Sequence, residues 1–487
     1  MTADQGKTLE FESSGNKALD KILGGGLPKR STMVIAGEPG SGKTVLTLQT
    51  LFHAARQGKK CLYFTTLSEP AIKVIRYMQL FDFFDVDLMH QRIVFADLGT
   101  SIREGAEKTL SEIQARVEEH QPAFVAIDSF RAISELLRED NSGRSFVYDL
   151  AVQMAGWGAT TLLVGEYTRD EFADFAEFAI ADGILRMGSE RQELTSVREI
   201  EVLKLRGASY SSGRHYFDIN RGGVLFYPRV SAPAEIESQP GAMTDKRIPT
   251  GIAGLDELLG GGVPRGSSTI VQGGTGAGKT LIGLQFLLEG AKRGERGVLF
   301  ALEETPDQLR SVAQSVGWNL RELEDKGLLV IKYASPVELS TDRFLHEAME
   351  AVRALEASRA VFDSLTTMSL GVPVERRFKE MVYSIAKHMR GAQVSLLLTV
   401  ESEQLLGSAQ LSGHGVSFIA DNLLQLRYVE IDGRLERAIS VLKARGIKHE
   451  SELRSMTIGA QGVQVVKGRF KDMRGVLTGL PSRDSGR

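Results

Sequence analysis

Short apolar runs alternate along this chain with stretches whose apolar residues recur at helical spacing. In the first half the runs at 33–36, 61–66, 123–127 and 160–164 are β-rich and too short for helices, and they predict buried strands. Between them, Val45, Leu46, Leu48, Leu51 and Phe52 mark one face of a helix over 44–56, and a second helical pattern lies near 146–155. The second half repeats the order, with Thr269-Ile270-Val271, Val298 to Leu302 and Ala360-Val361-Phe362 as strands. Strand-helix alternation of this kind predicts an α/β fold with a mostly parallel sheet, helices on both faces, and ligands at the carboxyl ends of the strands. Later runs, 200–205 and 438–444, predict further strands.

The joint between the first strand and first helix of each half carries the chemistry. Gly37-Glu38-Pro39-Gly40-Ser41-Gly42-Lys43-Thr44 and Gly273-Gly274-Thr275-Gly276-Ala277-Gly278-Lys279-Thr280 both fit the phosphate loop GxxxxGK[ST], in the strand-loop-helix setting it requires. Glycines let the backbone curl until successive N–H groups face phosphate oxygens, and the helix start adds partial positive charge. Lys43 and Lys279 then reach the β/γ-phosphates, and Thr44 and Thr280 reach Mg²⁺. Each loop is a nucleoside-triphosphate site, with ATP and Mg²⁺ as the expected ligands.

The two loops lie 236 positions apart, and other landmarks keep nearly the same offset. Gly24-Gly25-Gly26-Leu27-Pro28 returns as Gly260-Gly261-Gly262-Val263-Pro264, Asp128 as Asp363, and Lys204-Leu205-Arg206-Gly207 as Lys443-Ala444-Arg445-Gly446. This is a duplicated domain, each copy large enough for its own core. The expected organisation is one domain over 1–232, a linker over 233–247 in a Pro- and Ser-bearing stretch without periodicity, a second domain over 248–474, and an extended tail over 475–487.

Asp128 and Asp363 each end an apolar run and precede a serine, the Walker B arrangement that sets a carboxylate near Mg²⁺. Glu303-Glu304 follow the next strand of the second half, where a carboxylate faces the γ-phosphate and can orient or deprotonate a nucleophile. The first half reads Leu67-Ser68-Glu69-Pro70 there. Pairing Leu67 with Leu302 keeps Glu69 as its one catalytic carboxylate; pairing Pro70 with Pro306 leaves none. The match of Val74 with Leu309 favours the first alignment, and under either one the two sites differ in chemistry. Lys204/Arg206 and Lys443/Arg445 stand two apart on strand-like runs, so both side chains of a pair face one way. With no evident work in their own subunit, they suit a charge clamp on a neighbour's γ-phosphate.

Composition narrows the picture little further. A net charge of −3 argues against charge-driven nucleic-acid binding, and no run is long enough to span a bilayer, which points to the cytoplasm. The lone cysteine, Cys61, permits no intrachain disulfide and reads as a strand residue; Phe81, Phe83 and Phe84 read as core. No Cys/His cluster with metal spacing is present.

Together with Leu302-Glu303-Glu304-Thr305-Pro306, Phe362-Asp363-Ser364-Leu365, the segment Asp421-Asn422-Leu423-Leu424-Gln425-Leu426-Arg427-Tyr428-Val429-Glu430 and Val441-Leu442-Lys443-Ala444-Arg445-Gly446, these motifs make the chain resemble the KaiC family over nearly its whole length. These are double-domain, RecA-like P-loop ATPases of bacterial circadian systems. The resemblance implies two tandem RecA-like domains and a homohexamer of two stacked rings with ATP between subunits. It also implies ATP hydrolysis in the first ring, autokinase and autophosphatase activity in the second, and KaiB-like or other signalling proteins as partners. Family members carry two adjacent hydroxyl acceptors shortly before the Tyr-Val-Glu segment; counted back from Asp421, these positions are Ser417 and Phe418, so a single phosphoacceptor, Ser417, is expected. The stretch after Pro481 is short against the segment that the family offers to an activating KaiA partner. A RecA-type or helicase motor is the alternative, but it needs basic loops with stacking residues, and none is clear here. A nucleotide-gated scaffold with negligible turnover is the non-enzymatic alternative.

Overall fold

The computed structural model describes residues 9–66, 70–139, 143–192, 195–230, 246–335, 341–372, 374–402, 416, 418–431, 433–468, 470, 473–474 and 482–483. The chain divides between Arg229 and Val230 into two compact units.

In the first unit the elements that position the loop are β1 (Thr32–Gly37), α1 (Lys43–Arg56), β2 (Cys61–Thr65), α2 (Ala71–Met78), β3 (Ile93–Asp97), β4 (Phe124–Asp128), α3 (Phe130–Glu139), α4 (Gly143–Trp157), β5 (Thr160–Glu166), β6 (Gly183–Gln192), β7 (Thr195–Leu205), β8 (Arg214–Asn220) and β9 (Gly223–Tyr227). They form a nine-stranded sheet in the order β9-β8-β7-β6-β1-β5-β4-β2-β3. From β6 to β3 all neighbours are parallel, and β7, β8 and β9 extend the sheet antiparallel. The second unit opens on α5 (Ala253–Leu258) and repeats this with β10 (Ser268–Gly273), α6 (Lys279–Lys292), β11 (Gly297–Ala301), α7 (Pro306–Ser315), β12 (Leu329–Tyr333), β13 (Arg359–Asp363), α8 (Leu365–Leu370), α9 (Glu375–Gly391), β14 (Ser395–Glu401), β15 (Asn422–Ile431), β16 (Arg434–Ala444), β17 (Arg454–Gly459) and β18 (Gly462–Val466). Its sheet runs β12-β11-β13-β14-β10-β15-β16-β17-β18, the same topology. The mostly parallel α/β fold expected from the apolar pattern is therefore present twice.

Strand alternation explains why the expected strands are apolar throughout. On β1, Met33 and Ile35 face one core and Val34 and Ala36 the other; on β2, Cys61 and Tyr63 oppose Leu62 and Phe64. Helix α1 covers the first face with Leu46, Leu48, Leu51 and Phe52, while Phe130 and Ile133 of α3 and Phe146 and Leu150 of α4 cover the second. The aromatic run is core, with Phe83 and Phe84 packed on Phe52. Cys61 is buried, which pushes its thiol up to about 12 and leaves it inert. The Gly-Gly-Gly-x-Pro motif is a tight entry to the central strand: Gly24, Gly25 and Gly26, like Gly260, Gly261 and Gly262, all hold positive φ.

The duplication is not exact. Strand β4 opens on Phe124, but β13 opens on Arg359, only 1% exposed. Its guanidinium donates to Glu295 at 2.7 Å and to the carbonyls of Pro249 and Phe286 at 2.9 and 2.8 Å, and it lies 4.6 Å from the Phe286 ring centroid. The space comes from Gly290, where a Cβ would sit 2.6 Å from the Arg359 Cδ; the first unit has Ala54 there. Of the stretch from 475 onward only Ser482–Arg483 is described, paired antiparallel with Met473–Arg474.

Removing Arg359 strips a largely buried glutamate, its side chain 27% exposed, and two main-chain carbonyls of their shared donor. Arg359→Ala is expected to cost roughly 3–5 kcal/mol, read as a lower denaturant midpoint for the second unit. An unchanged midpoint would mean that water replaces the guanidinium at no cost.

Candidate functional site

Each phosphate loop leaves the carboxyl end of its unit's central strand and runs directly into a helix. In the first loop Gly40 and Gly42 hold φ of 75° and 92°, and in the second Gly276 and Gly278 hold 71° and 102°, values that side-chain-bearing residues rarely adopt. A Cβ on Gly40 would meet nothing within 4 Å, so the first loop opens outward there. Gly37, by contrast, admits no side chain, since its Cβ would lie 1.9 Å from the Met187 carbonyl oxygen. Lys43 Nζ donates to the carbonyls of Gly37 and Glu38 at 3.0 and 2.8 Å, and Lys279 Nζ to those of Gly273 and Gly274, both at 3.0 Å. Both ammonium groups lie over their loops. Burial lowers both pKa values, against the pull of nearby carboxylates: Glu166, Asp128 and Glu38 on Lys43, and Glu401, Asp363 and Glu303 on Lys279. The remaining loop residues, Pro39 and Ser41 in the first and Thr275 and Ala277 in the second, complete the two turns.

Asp128 and Asp363 stand beside these loops at the ends of β4 and β13, and the peptide bond after each is cis. They are held differently. Asp128 accepts from Thr44 Oγ1 and from Tyr63 OH, each at 2.7 Å, which brings the two expected Mg²⁺ residues of the first unit together. Asp363 accepts from Thr399 Oγ1 on β14; the residues in register at these places are Val164 in the first unit and Leu299 in the second. A threonine hydroxyl beside an aspartate at a loop that cradles phosphate is a donor set that suits Mg²⁺. Among the described residues there is no separate His/Cys/Asp/Glu cluster able to hold a metal.

Glu303 and Glu304 follow β11. Glu303 is exposed and accepts from Thr367 Oγ1 at 3.4 Å. Glu304 is half-buried, and its Oε2 has no hydrogen-bond partner. Burial raises its pKa, and the negative charges of Asp363 and Glu303 raise it further. Glu69, like Ser417, lies outside the described residues. The two alignments weighed for Glu69 each hold in one element. Thr65 pairs with Asp128 as Ala301 pairs with Asp363, which sets Pro70 against Pro306; yet the buried positions of α2, Val74 and Met78, match Leu309 and Ala313 of α7. The first unit therefore has one residue more between strand and helix, within the connection that carries the carboxylates.

The basic pairs lie on regular ladder: Lys204 is the last residue but one of β7, and the Arg206 N–H carries the pairing one step further by donating to the Asp182 carbonyl at 2.8 Å, while the register shift at Ile184/Leu185 falls before Lys204. The lysines have work in their own chain: Lys204 Nζ donates to the carbonyls of Phe178 and Ala179 at 3.4 and 3.2 Å, and Lys443 Nζ to that of Ala420 at 2.7 Å. Arg206 reaches Asp182 at 3.4 Å, while Arg445 is exposed and makes no such side-chain contact among the described residues. All four lie at the amino ends of the parallel strands. Lys204 is in register with Ile184 and Lys443 with Leu423, whereas the loops leave the opposite ends at Gly37 and Gly273.

Two residues beside the loops escaped sequence reasoning. Glu166 and Glu401 end β5 and β14 in register with Gly37 and Gly273, and each is the carboxylate acting most strongly on its loop lysine. The signal was available, since each ends an apolar run at the 235-residue offset that relates Asp128 to Asp363.

A family model described as "ATPase: KaiC" matches the chain twice, over residues 13–231 and 248–469. The chain is 29% identical to the circadian clock oscillator protein KaiC of Picosynechococcus sp., across 96% of this chain and 91% of that protein. It is 29% identical to the protein of the same name from Acaryochloris marina, with the same coverage, and 27% identical to circadian clock oscillator protein KaiC 1 of Synechocystis sp., over 96% and 91%. Two nine-stranded sheets, each with a phosphate loop and a strand-end aspartate, and a family match that recurs in each half lead to one conclusion: the chain belongs to the KaiC ATPase family.

Proposed function

We propose that this protein is a homohexameric, double-ring switch that binds Mg-ATP in both units, hydrolyses it, and phosphorylates its own Ser417 from the second unit. One observation supports the assembly above others: the Lys204/Arg206 and Lys443/Arg445 pairs stand at the strand ends opposite their own loops. The matched ends of β1 and β6 are four residue steps apart, about 13 Å at ~3.3 Å per residue, a span no lysine side chain crosses. A second copy could bring the exposed arginines to the γ-phosphate, where cations stabilise the charge of phosphoryl transfer.

Lys43 and Lys279 hold the β/γ-phosphates, and Thr44 with Asp128 and Thr280 with Asp363 hold Mg²⁺, which neutralises phosphate charge when bound. In the second site the Ser417 hydroxyl oxygen bonds to the γ-phosphorus as the bond to the β,γ-bridging oxygen breaks. Glu303 takes the hydroxyl proton and ADP leaves. Exposure and a bond to Thr367 suit Glu303 to that role better than Glu304, which burial and two neighbouring carboxylates favour in the protonated form. Phe418 is exposed and lines an open pocket of about 470 Å³ with Tyr383 and two ion pairs, Arg376–Glu380 and Lys379–Glu375. A single acceptor makes this a one-step modification. Whether the switch keeps time or serves other signalling, with KaiB-like or other partners, depends on the proteins that read it.

Mass spectrometry after long incubation with Mg-ATP is expected to find phosphate on Ser417 in the wild type and none there in Glu303→Gln/Glu304→Gln. Glu303→Gln alone should slow incorporation by ~10²–10⁴-fold, the usual cost of a lost general base. An unmodified 405–427 peptide from active protein would leave an ATPase without autokinase function. Light scattering should show a hexamer at saturating ATP, and a monomer there would end the ring assignment. Because the Glu304 pKa is raised on folding, the native state binds more protons than the unfolded chain just above the ordinary glutamate range, and stability falls as pH rises through that window. Glu304→Gln is thus expected to raise the melting temperature at pH 7.5 and to leave it unchanged near pH 4; destabilisation at pH 7.5 would show that the charge is compensated.

A further inference from the structure

Glu166 and Glu401 occupy the same place in the two units, and each is pinned there through its main chain by the residue three positions after the strand-end aspartate. The chemistry of the pin differs. Arg131 Nη1 donates to the Glu166 carbonyl at 2.5 Å, whereas Thr366 Oγ1 accepts from the Glu401 N–H at 2.8 Å. Arg131 is itself gripped by both carboxylate oxygens of Glu171, each at 2.9 Å, and by Glu135 at 2.7 Å, with its guanidinium 5.6 and 5.4 Å from the Tyr167 and Phe175 ring centroids. A bidentate, ring-backed arginine has little freedom, so the end of β5 is a fixed point.

The side chains of the two glutamates then part ways. Glu401 accepts from the hydroxyl of Thr275, inside the second loop. The first loop has Pro39 at that position, which offers no hydroxyl, and the exposed Glu166 carboxylate makes no hydrogen bond among the described residues. The first unit thus has an unengaged carboxylate on a rigid strand end facing its phosphate loop, while its sequence reads Leu67-Ser68-Glu69 where the second unit has Leu302-Glu303-Glu304.

We propose that Glu166 is a catalytic residue of the first site, the carboxylate that orients and deprotonates the attacking water, with Arg131 as its positioning residue. This rests on the reading of the first loop as a hydrolytic ATP site. The water oxygen bonds to the γ-phosphorus, the bond from γ-phosphorus to the β,γ-bridging oxygen breaks, the water proton passes to the Glu166 carboxylate, and ADP leaves with the electron pair. Glu401, held on its loop by Thr275, takes no such part, and the second site relies on the pair after β11.

The test uses the full chain with Lys279→Ala, which silences the second site, and measures ATP turnover together with affinity for a fluorescent ATP analogue. Glu166→Gln in this background is expected to lower kcat by roughly 100-fold or more while analogue affinity stays within about threefold. Arg131→Ala should lower kcat about tenfold at unchanged KM, with Arg131→Lys, which keeps the charge but not the two-point grip on Glu171, recovering only part of it, a split that loss of folding would not give. Turnover of Glu166→Gln within about threefold of its parent, or its loss together with nucleotide binding, overturns the assignment alone. A parent that binds the analogue yet turns over no ATP overturns the hydrolytic reading of the first site and the assignment with it.

Discussion

The whole arrangement depends on how closely two backbones approach where each phosphate loop leaves its sheet. At Gly37 a side chain would collide with the Met187 carbonyl of the adjacent strand, and at Gly273 a Cβ would lie 2.7 Å from the Leu426 Cβ. One turn later Gly42 and Gly278 pack at Cβ distances of 2.5 and 3.0 Å against Ile219 and Ile458, on the antiparallel strands β8 and β17. The antiparallel extension is thus the floor on which the loop rests. A loop tuned to present its N–H groups must be supported from below, and the second, antiparallel half of each sheet supplies that support.

From this shared base the two units diverge through single exchanges in register. The first holds its aspartate with a tyrosine and the loop threonine; the second uses a threonine from the neighbouring strand. Phe124 and Ala54 become Arg359 and Gly290, a pair that changes together because the guanidinium needs the space a methyl group would fill. Fold and loop geometry are common property, and the differences gather around the carboxylates and their supports, where chemistry is set.

The fold was legible because buried parallel strands are apolar on both faces, and so announce themselves as short runs. Loop, strand-end aspartate and repeat offset were legible for the same reason, since each is tied to a strand end. The partners of Lys204 and Lys443 were not, because the carbonyls they meet come from segments more than twenty residues away in the chain. Glu166 and Glu401 were also passed over, since their importance comes from strand order: β5 and β14 lie next to the central strand only after a crossover that no local pattern reveals. Two alignments competed at Glu69 because the strand keeps one offset and the helix the other.

The additional residue between β2 and α2 has a consequence for anyone who would convert one half into the other. Counted on from the strands, Glu303-Glu304 fall on Leu67-Ser68; counted back from the helices, they fall on Ser68-Glu69. Exchange of function between the halves must choose between these two frames, and this length difference makes the duplicated halves harder to interconvert than their common topology suggests.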